Sequence, residues 1–124
     1  MVRPVRWAGR TSDRGMATAE LAMALPALVM AVSLLVTIVG TASDASRMSE
    51  AARMAARSAS LGTDREVVIN QAHDLAPEHA AVRLWLDGPW VRVQITSPGR
   101  RWGPLPIPPP TAAAAALVEP GATP

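Results

Sequence analysis

The chain has 124 residues, room for one small domain, and is 49% hydrophobic but only 3% aromatic, with no Phe and no Tyr. Ala, Val, Leu and Met supply the apolar character, which argues against a large interdigitated core. The net charge is +2, every cation is Arg and Cys is absent, so there is no case for a clustered nucleic-acid-binding face and none for a disulfide framework or thiolate metal site.

The first stretch, residues 1–15, is a short basic leader carrying Arg3, Arg6, Arg10 and Arg14. A single carboxylate, Glu20, then stands at the mouth of an apolar run that holds no further charge until Asp44. Those roughly 23 residues span about 34 Å as a helix, enough for a bilayer core, and exceed the usual secretory h-region. Pro26 would break a soluble helix, whereas membrane helices tolerate it with a kink. Residues 16–43 are therefore expected to form a transmembrane helix, with 21–39 as its apolar centre. The flanking arginines, Arg3, Arg6, Arg10 and Arg14 against Arg47, Arg53 and Arg57, give a slight positive-inside bias. The expected topology is single-pass in the plasma membrane, with a cytoplasmic N-terminus and an extracytoplasmic C-terminus.

Residues 44–62 contain no Pro, and their one Gly is the last; this predicts that the helix continues beyond the membrane until Gly62 caps it. Ala45, Met48, Ala52, Ala55, Ala56 and Ala59 fall on one face of the wheel. Such a face admits close approach of another helix; the alternative is Ala filling a solvated helix. Glu50 and Arg53 are spaced to pair weakly.

A small αβ outer domain is expected over 63–119. Thr63 and Glu66 form a capping box that starts a second helix, with Val68, Ala72 and Leu75 at helical spacing and Pro77 ending it. The period then changes to two. Val82, Leu84 and Leu86, and after "DGPW" Val91, Val93 and Ile95, predict a β-hairpin turning at Asp87-Gly88. Residues 97–110, "SPGRRWGPLPIPPP", read as a Pro-rich solvated loop, in which Arg100, Arg101 and Trp102 could form a small contact patch. In "TAAAAALVEP" propensity favours a helix capped by Thr111, and a short third strand is the alternative. Residues 120–124 are expected to be disordered.

No enzyme chemistry emerges. His73, Asp74, Glu78 and His79 are the only cluster resembling metal ligands, and Pro77 between the histidines prevents one-turn spacing on a helix face. There is no phosphate loop and no nucleophile-elbow context for any Ser. No metal, cofactor, small-molecule substrate or nucleic acid is expected.

"RGMATAELAMALP", followed by the apolar span, resembles the processing region of class III (type IV-like) prepilins. That resemblance implies cleavage by prepilin peptidase between Gly15 and Met16 and places the assembly carboxylate at Glu20. The longer stretch ending "SRMSEAARMAARSASLG" resembles the TadE family, minor pilins (pseudopilins) of the Tad/Flp tight-adherence pilus. Pro26, Ala51-Ala52-Arg53 and Ala55-Ala56-Arg57 match its pattern, and the likeness covers about residues 13–62. Leu21 stands where major Flp pilins usually have Tyr, and the chain is longer than they are, so the resemblance points to a minor pilin. It implies an α+β fold, a long N-terminal transmembrane helix entering a small extracytoplasmic domain with a short helix and a two- to three-stranded antiparallel sheet. It also implies that 111–119 is the third strand. The partners implied are the membrane, other pilins, Tad platform proteins and prepilin peptidase. In such filaments the Glu is thought to meet a neighbouring subunit's N-terminal amine, a role that would explain an ionised group at the edge of hydrocarbon, softened there by the helix N-terminus. The alternatives are a bitopic membrane protein whose outer domain scaffolds another envelope complex, and a signal-anchored protein outside any pilus system.

Overall fold

A computed structural model describes residues 12–122, with side chains from Gly15 onward. One helix, α1 (Ser12–Ser60), precedes a short helix, α2 (Arg65–Leu75), and the strands β1 (Ala81–Asp87), β2 (Trp90–Thr96), β3 (Arg100–Trp102), β4 (Leu105–Ile107) and β5 (Thr111–Leu117). The fold is α+β. The chain divides into two compact units between Val36 and Thr37.

In the first unit α1 is already formed at Ser12, so it begins inside the segment read as leader, of which residues 1–11 lie outside the described residues. Pro26 sits within the helix and leaves the Ala22 carbonyl without its intrahelical donor. The helix is long and apolar enough to cross a membrane, and none of its most apolar window is buried within the chain. Leu21, Met23, Leu25, Leu28 and Val29 are all more than half exposed, so nothing among the described residues covers this surface.

The second unit is organised around the C-terminal part of the same helix. Met48, Ala51, Ala52, Ala55, Ala56 and Ala59 are buried. They form one core with Val68 and Ala72 of α2, Leu84 of β1 and Val91, Val93 and Ile95 of β2. Compared with the sequence reading, Ala51 joins the face and Ala45 leaves it, being exposed. The small-residue face is covered by the chain's own sheet and second helix. Alanine is what permits this, because a methyl-only layer lets two elements approach closely enough to exclude water without long side chains. Glu50 and Arg53 do not pair; the ion pairs among the described residues are Arg92–Asp87 and Arg100–Asp44.

The end of α1 shows why Gly62 is where it is. Its φ is +84°, the Gly62 N–H donates to the Ala59 carbonyl at 3.1 Å and the Thr63 N–H to the Ser58 carbonyl at 3.2 Å, the paired bonds of a Schellman cap. The Ser60 carbonyl accepts from the Glu119 N–H at 3.0 Å, so one of the helix's orphan acceptors anchors the chain just after β5. A side chain at position 62 would be held in the left-handed region. Gly62→Ala is expected to destabilise the outer unit by about 1 kcal/mol, read as a lower thermal midpoint of the full chain in detergent; an unchanged midpoint would mean the cap is dispensable. Helix α2 starts one residue later than the capping box implied. Asp64 is the N-cap, its Oδ1 accepting from the Glu66 N–H at 2.8 Å. Ala76, just before Pro77, is extended, as steric clash with the proline ring requires.

The hairpin β1–β2 is antiparallel, with Val82 opposite Ile95, Leu84 opposite Val93 and Leu86 opposite Val91. Its two-residue loop is Gly88-Pro89, with Gly88 at φ +60°, the first central position of a type II′ turn. Strand β2 is the buried centre of the three-stranded sheet β1-β2-β5. On its other side β5 places Ala112, Ala114 and Ala116 opposite Ile95, Val93 and Val91. The alanine segment is thus a strand, as the family resemblance implied and local propensity did not. Leu86, by contrast, is 54% exposed, so the apolar row of β1 is covered only at Leu84 and, in part, Val82.

Two expectations need correction. The Pro-rich segment is not simply a loop: it contains a second sheet, the hairpin β3–β4, with Arg100 opposite Ile107 and Trp102 opposite Leu105. It turns on Gly103-Pro104, Gly103 having φ +57°, the same Gly-Pro device as the first hairpin. The tail expected to be disordered makes a turn through Gly121, with the Ala122 N–H on the Glu119 carbonyl at 3.0 Å; residues 123–124 lie outside the described residues.

Candidate functional site

The residues singled out for processing and assembly lie together in the first turns of α1. Gly15, Met16 and Glu20 are helical and exposed, Met16 at 70%. Met16 and Glu20 stand one turn apart on the same helix face, separated by about 6 Å of rise. Gly15 costs this turn about 1 kcal/mol of helix stability relative to Ala, and a Cβ there would meet no atom within 4 Å. The glycine therefore answers no packing need among the described residues. The Thr18 Oγ1 donates back to the Gly15 carbonyl at 3.0 Å, a local bond that competes weakly with the regular helix ladder. The peptide bond between Gly15 and Met16 is thus exposed and set in a weak turn, features that ease the local unwinding a protease needs.

Glu20 forms no ion pair or hydrogen bond among the described residues. It is the last charge before the uncharged helix surface, and that surface has no cover among the described residues. A carboxylate so placed is open to a cation supplied from outside the chain.

The outer unit places the remaining candidates. His73 and Asp74 are exposed at the end of α2, and Glu78 and His79 follow in the turn before β1, where His79 has φ +64°. Glu78 and His79 line an open cleft of about 510 Å³ with Asp44, Arg47 and Arg100. No group of three His, Cys, Asp or Glu suited to a metal ion occurs among the described residues.

The sequence reading missed the pairing of Asp44 with Arg100. Their side chains meet across 56 residues of sequence. The Asp44 side chain is only 14% exposed, so this pair is better shielded than Arg92–Asp87 on the open sheet face, a kind of contact that contributes little. No local pattern could have found it. Its only sequence sign is that Asp44 is the first charge after the apolar run and Arg100 the first in the Pro-rich segment.

Comparison with models of protein families, with curated proteins and with solved structures finds no match.

Proposed function

We propose that the chain is a membrane-anchored minor pilin, a TadE-like pseudopilin that takes part in assembling a Tad/Flp-type pilus. In this reading prepilin peptidase removes residues 1–15 on the cytoplasmic face. The mature chain begins at Met16, α1 crosses the plasma membrane once, and the outer unit lies outside the cytoplasm, free to enter a pilus.

The observation that carries the reading is the state of Glu20. It is exposed, unpaired among the described residues, one turn past the cleavage position, and at the head of an apolar helix surface that no other described residue covers. An anchor alone gains nothing from that charge, which makes insertion harder. A helix that leaves the bilayer to pack among other such helices gains a specific partner for it, the Met16 amine that cleavage creates on a neighbour.

The core of the outer unit is equally compatible with a second reading, a bitopic scaffold. Its alanine face is already filled by the chain's own sheet, so that stretch of α1 has no small-residue stripe left for another helix. This suits a bitopic scaffold as well as a pilin, and it moves any subunit contact to the uncovered apolar stretch and the sheet's outer face.

Deleting the coding region in a piliated host should reduce or abolish surface filaments, and the wild-type chain supplied in trans should restore them. Unchanged filament number in the deletion strain would contradict the proposal and favour the scaffold.

A further inference from the structure

We propose that the β3–β4 hairpin is a membrane-interface foot, seating Trp102 and Leu105 in the headgroup region of the bilayer that α1 crosses. The inference rests on the reading of α1 as a membrane anchor; it is independent of the pilus.

The placement follows from chain geometry within the outer unit. At one end of the sheet the Glu119 N–H meets the Ser60 carbonyl and the Val118 N–H meets the Pro89 carbonyl, so β2 starts level with the end of α1. At the other end Arg100 meets Asp44. From Ser60 back to Asp44 the helix runs about 24 Å, and the seven residues of β2 run about 23 Å. Strand β2 therefore returns along α1 to the first charge beyond the apolar run, and only there does the chain make the second hairpin. A Cβ built at Gly40 would stand 3.0 Å from the Arg100 Nη1, which puts the guanidinium on the helix surface where the uncharged stretch ends.

The chemistry of the hairpin fits that level. Residues 100–110 contain two arginines, a tryptophan, a leucine and an isoleucine and no acidic group. Leu105 is 57% exposed, Arg101 is exposed and Trp102 is half-buried. Ile107 closes an apolar notch of about 340 Å³ with Ile38, Thr41, Ala42 and Ala45. Ile38, Thr41 and Ala42 belong to the part of α1 read as the membrane span, so the notch suits an acyl chain. Trp at the headgroup level and Arg reaching phosphate from an apolar base are the usual membrane-interface anchors. With Arg100 committed to Asp44, Arg101 is the guanidinium free for a lipid phosphate. Continuity with the spanning helix selects lipid as the occupant over a protein partner.

The test uses the full chain reconstituted in phosphatidylcholine–phosphatidylglycerol vesicles, with Trp102 as sole tryptophan (Trp7, Trp85 and Trp90→Phe). In lipids brominated near the headgroup end of the acyl chains its emission should fall about twofold, as for an aromatic residue of the interfacial belt. A variant keeping only Trp85, on β1, should be unaffected. A third variant carries the reporter across the hairpin (Leu105→Trp with Trp102→Phe in the same background) and should be quenched like the first. Flotation of the vesicles reads the anchor separately. Protein that floats while Trp102 and the residue-105 reporter stay unquenched and as open to iodide as Trp85 overturns the foot alone. Protein that floats with both reporters shielded from lipid and iodide alike means that protein covers the hairpin, and also overturns it. Protein that fails to float overturns the foot and the anchor together.

Discussion

Glu20→Gln is expected to reach the membrane, to be cut after Gly15, and to yield few or no filaments. The substitution keeps the side chain's size and removes its charge. Insertion should become slightly easier, because an ionised carboxylate opposes transfer into hydrocarbon. Cleavage should persist, because Gly15 and Met16 keep their exposed turn and Glu20 contributes no contact to it among the described residues. The defect should appear at assembly. The Met16 amine of a neighbouring subunit would enter a low-dielectric site without a counter-charge, and breaking such a pair from one side typically costs about 3–5 kcal/mol. Crosslinking to other pilins should fall together with filament number. Normal crosslinking and normal filaments would show that the carboxylate is incidental.

Ile95→Ala should be the most damaging single change in the outer unit. Ile95 is fully buried on the central strand, flanked by Val82 on one side and Ala112 on the other. The neighbours close the gap only in part, since apart from Met48 the facing side of α1 and β5 offer methyl groups in place of flexible chains. A loss of about 2–5 kcal/mol is expected, a large part of the 5–15 kcal/mol or so that holds a typical domain together. Thermal unfolding of the full chain in detergent should show a midpoint lower by about 10 °C or more. Met54→Ala, at a position on α1 that is 52% exposed, should change stability by no more than about 0.5 kcal/mol. Equal effects from the two variants would contradict the assignment of the core to the face that carries Ala52 and Ala55.

These expectations show which parts of the molecule its sequence discloses. The apolar helix is legible because its signal is local: a run free of charge between Glu20 and Asp44 needs no tertiary information. The first hairpin is legible for the same reason, its alternation and Gly88 turn lying within a few residues of each other. The alanine segment after Pro110 is not legible locally, since Ala is the best helix former. It becomes a strand because β2 has a second edge to pair and an apolar face that needs small cover, a tertiary demand that outweighs propensity. The alanine face of α1 shows the converse. Its existence can be read from spacing, but not what covers it, because small residues fit a helix or a sheet equally well.

The second hairpin was hidden by composition. Prolines at 104, 106, 108, 109 and 110 read as loop, yet "WGPL" repeats the pattern of "DGPW" and makes the same turn. Proline is tolerated at 106 because a two-stranded ribbon has edges on both sides, where a missing N–H leaves no ladder bond broken. At the candidate site Gly15, Met16 and Glu20 come from the resemblance to prepilin processing regions, and the structure adds that all three are exposed and that Met16 and Glu20 share a helix face. The contact of Asp44 with Arg100 needed the fold, because nothing local links positions so far apart.

If the chain is a pilin, residues 1–15 are a leader that prepilin peptidase removes. Intact-mass and N-terminal peptide analysis of the protein extracted from membranes of a host with active prepilin peptidase tests it most directly. The expected product is a mature chain beginning at Met16, in native or N-methylated form, with Gly15 as the last residue of the released leader. Recovery of only the full-length chain beginning at Met1, from a host that processes its other prepilins, would contradict it.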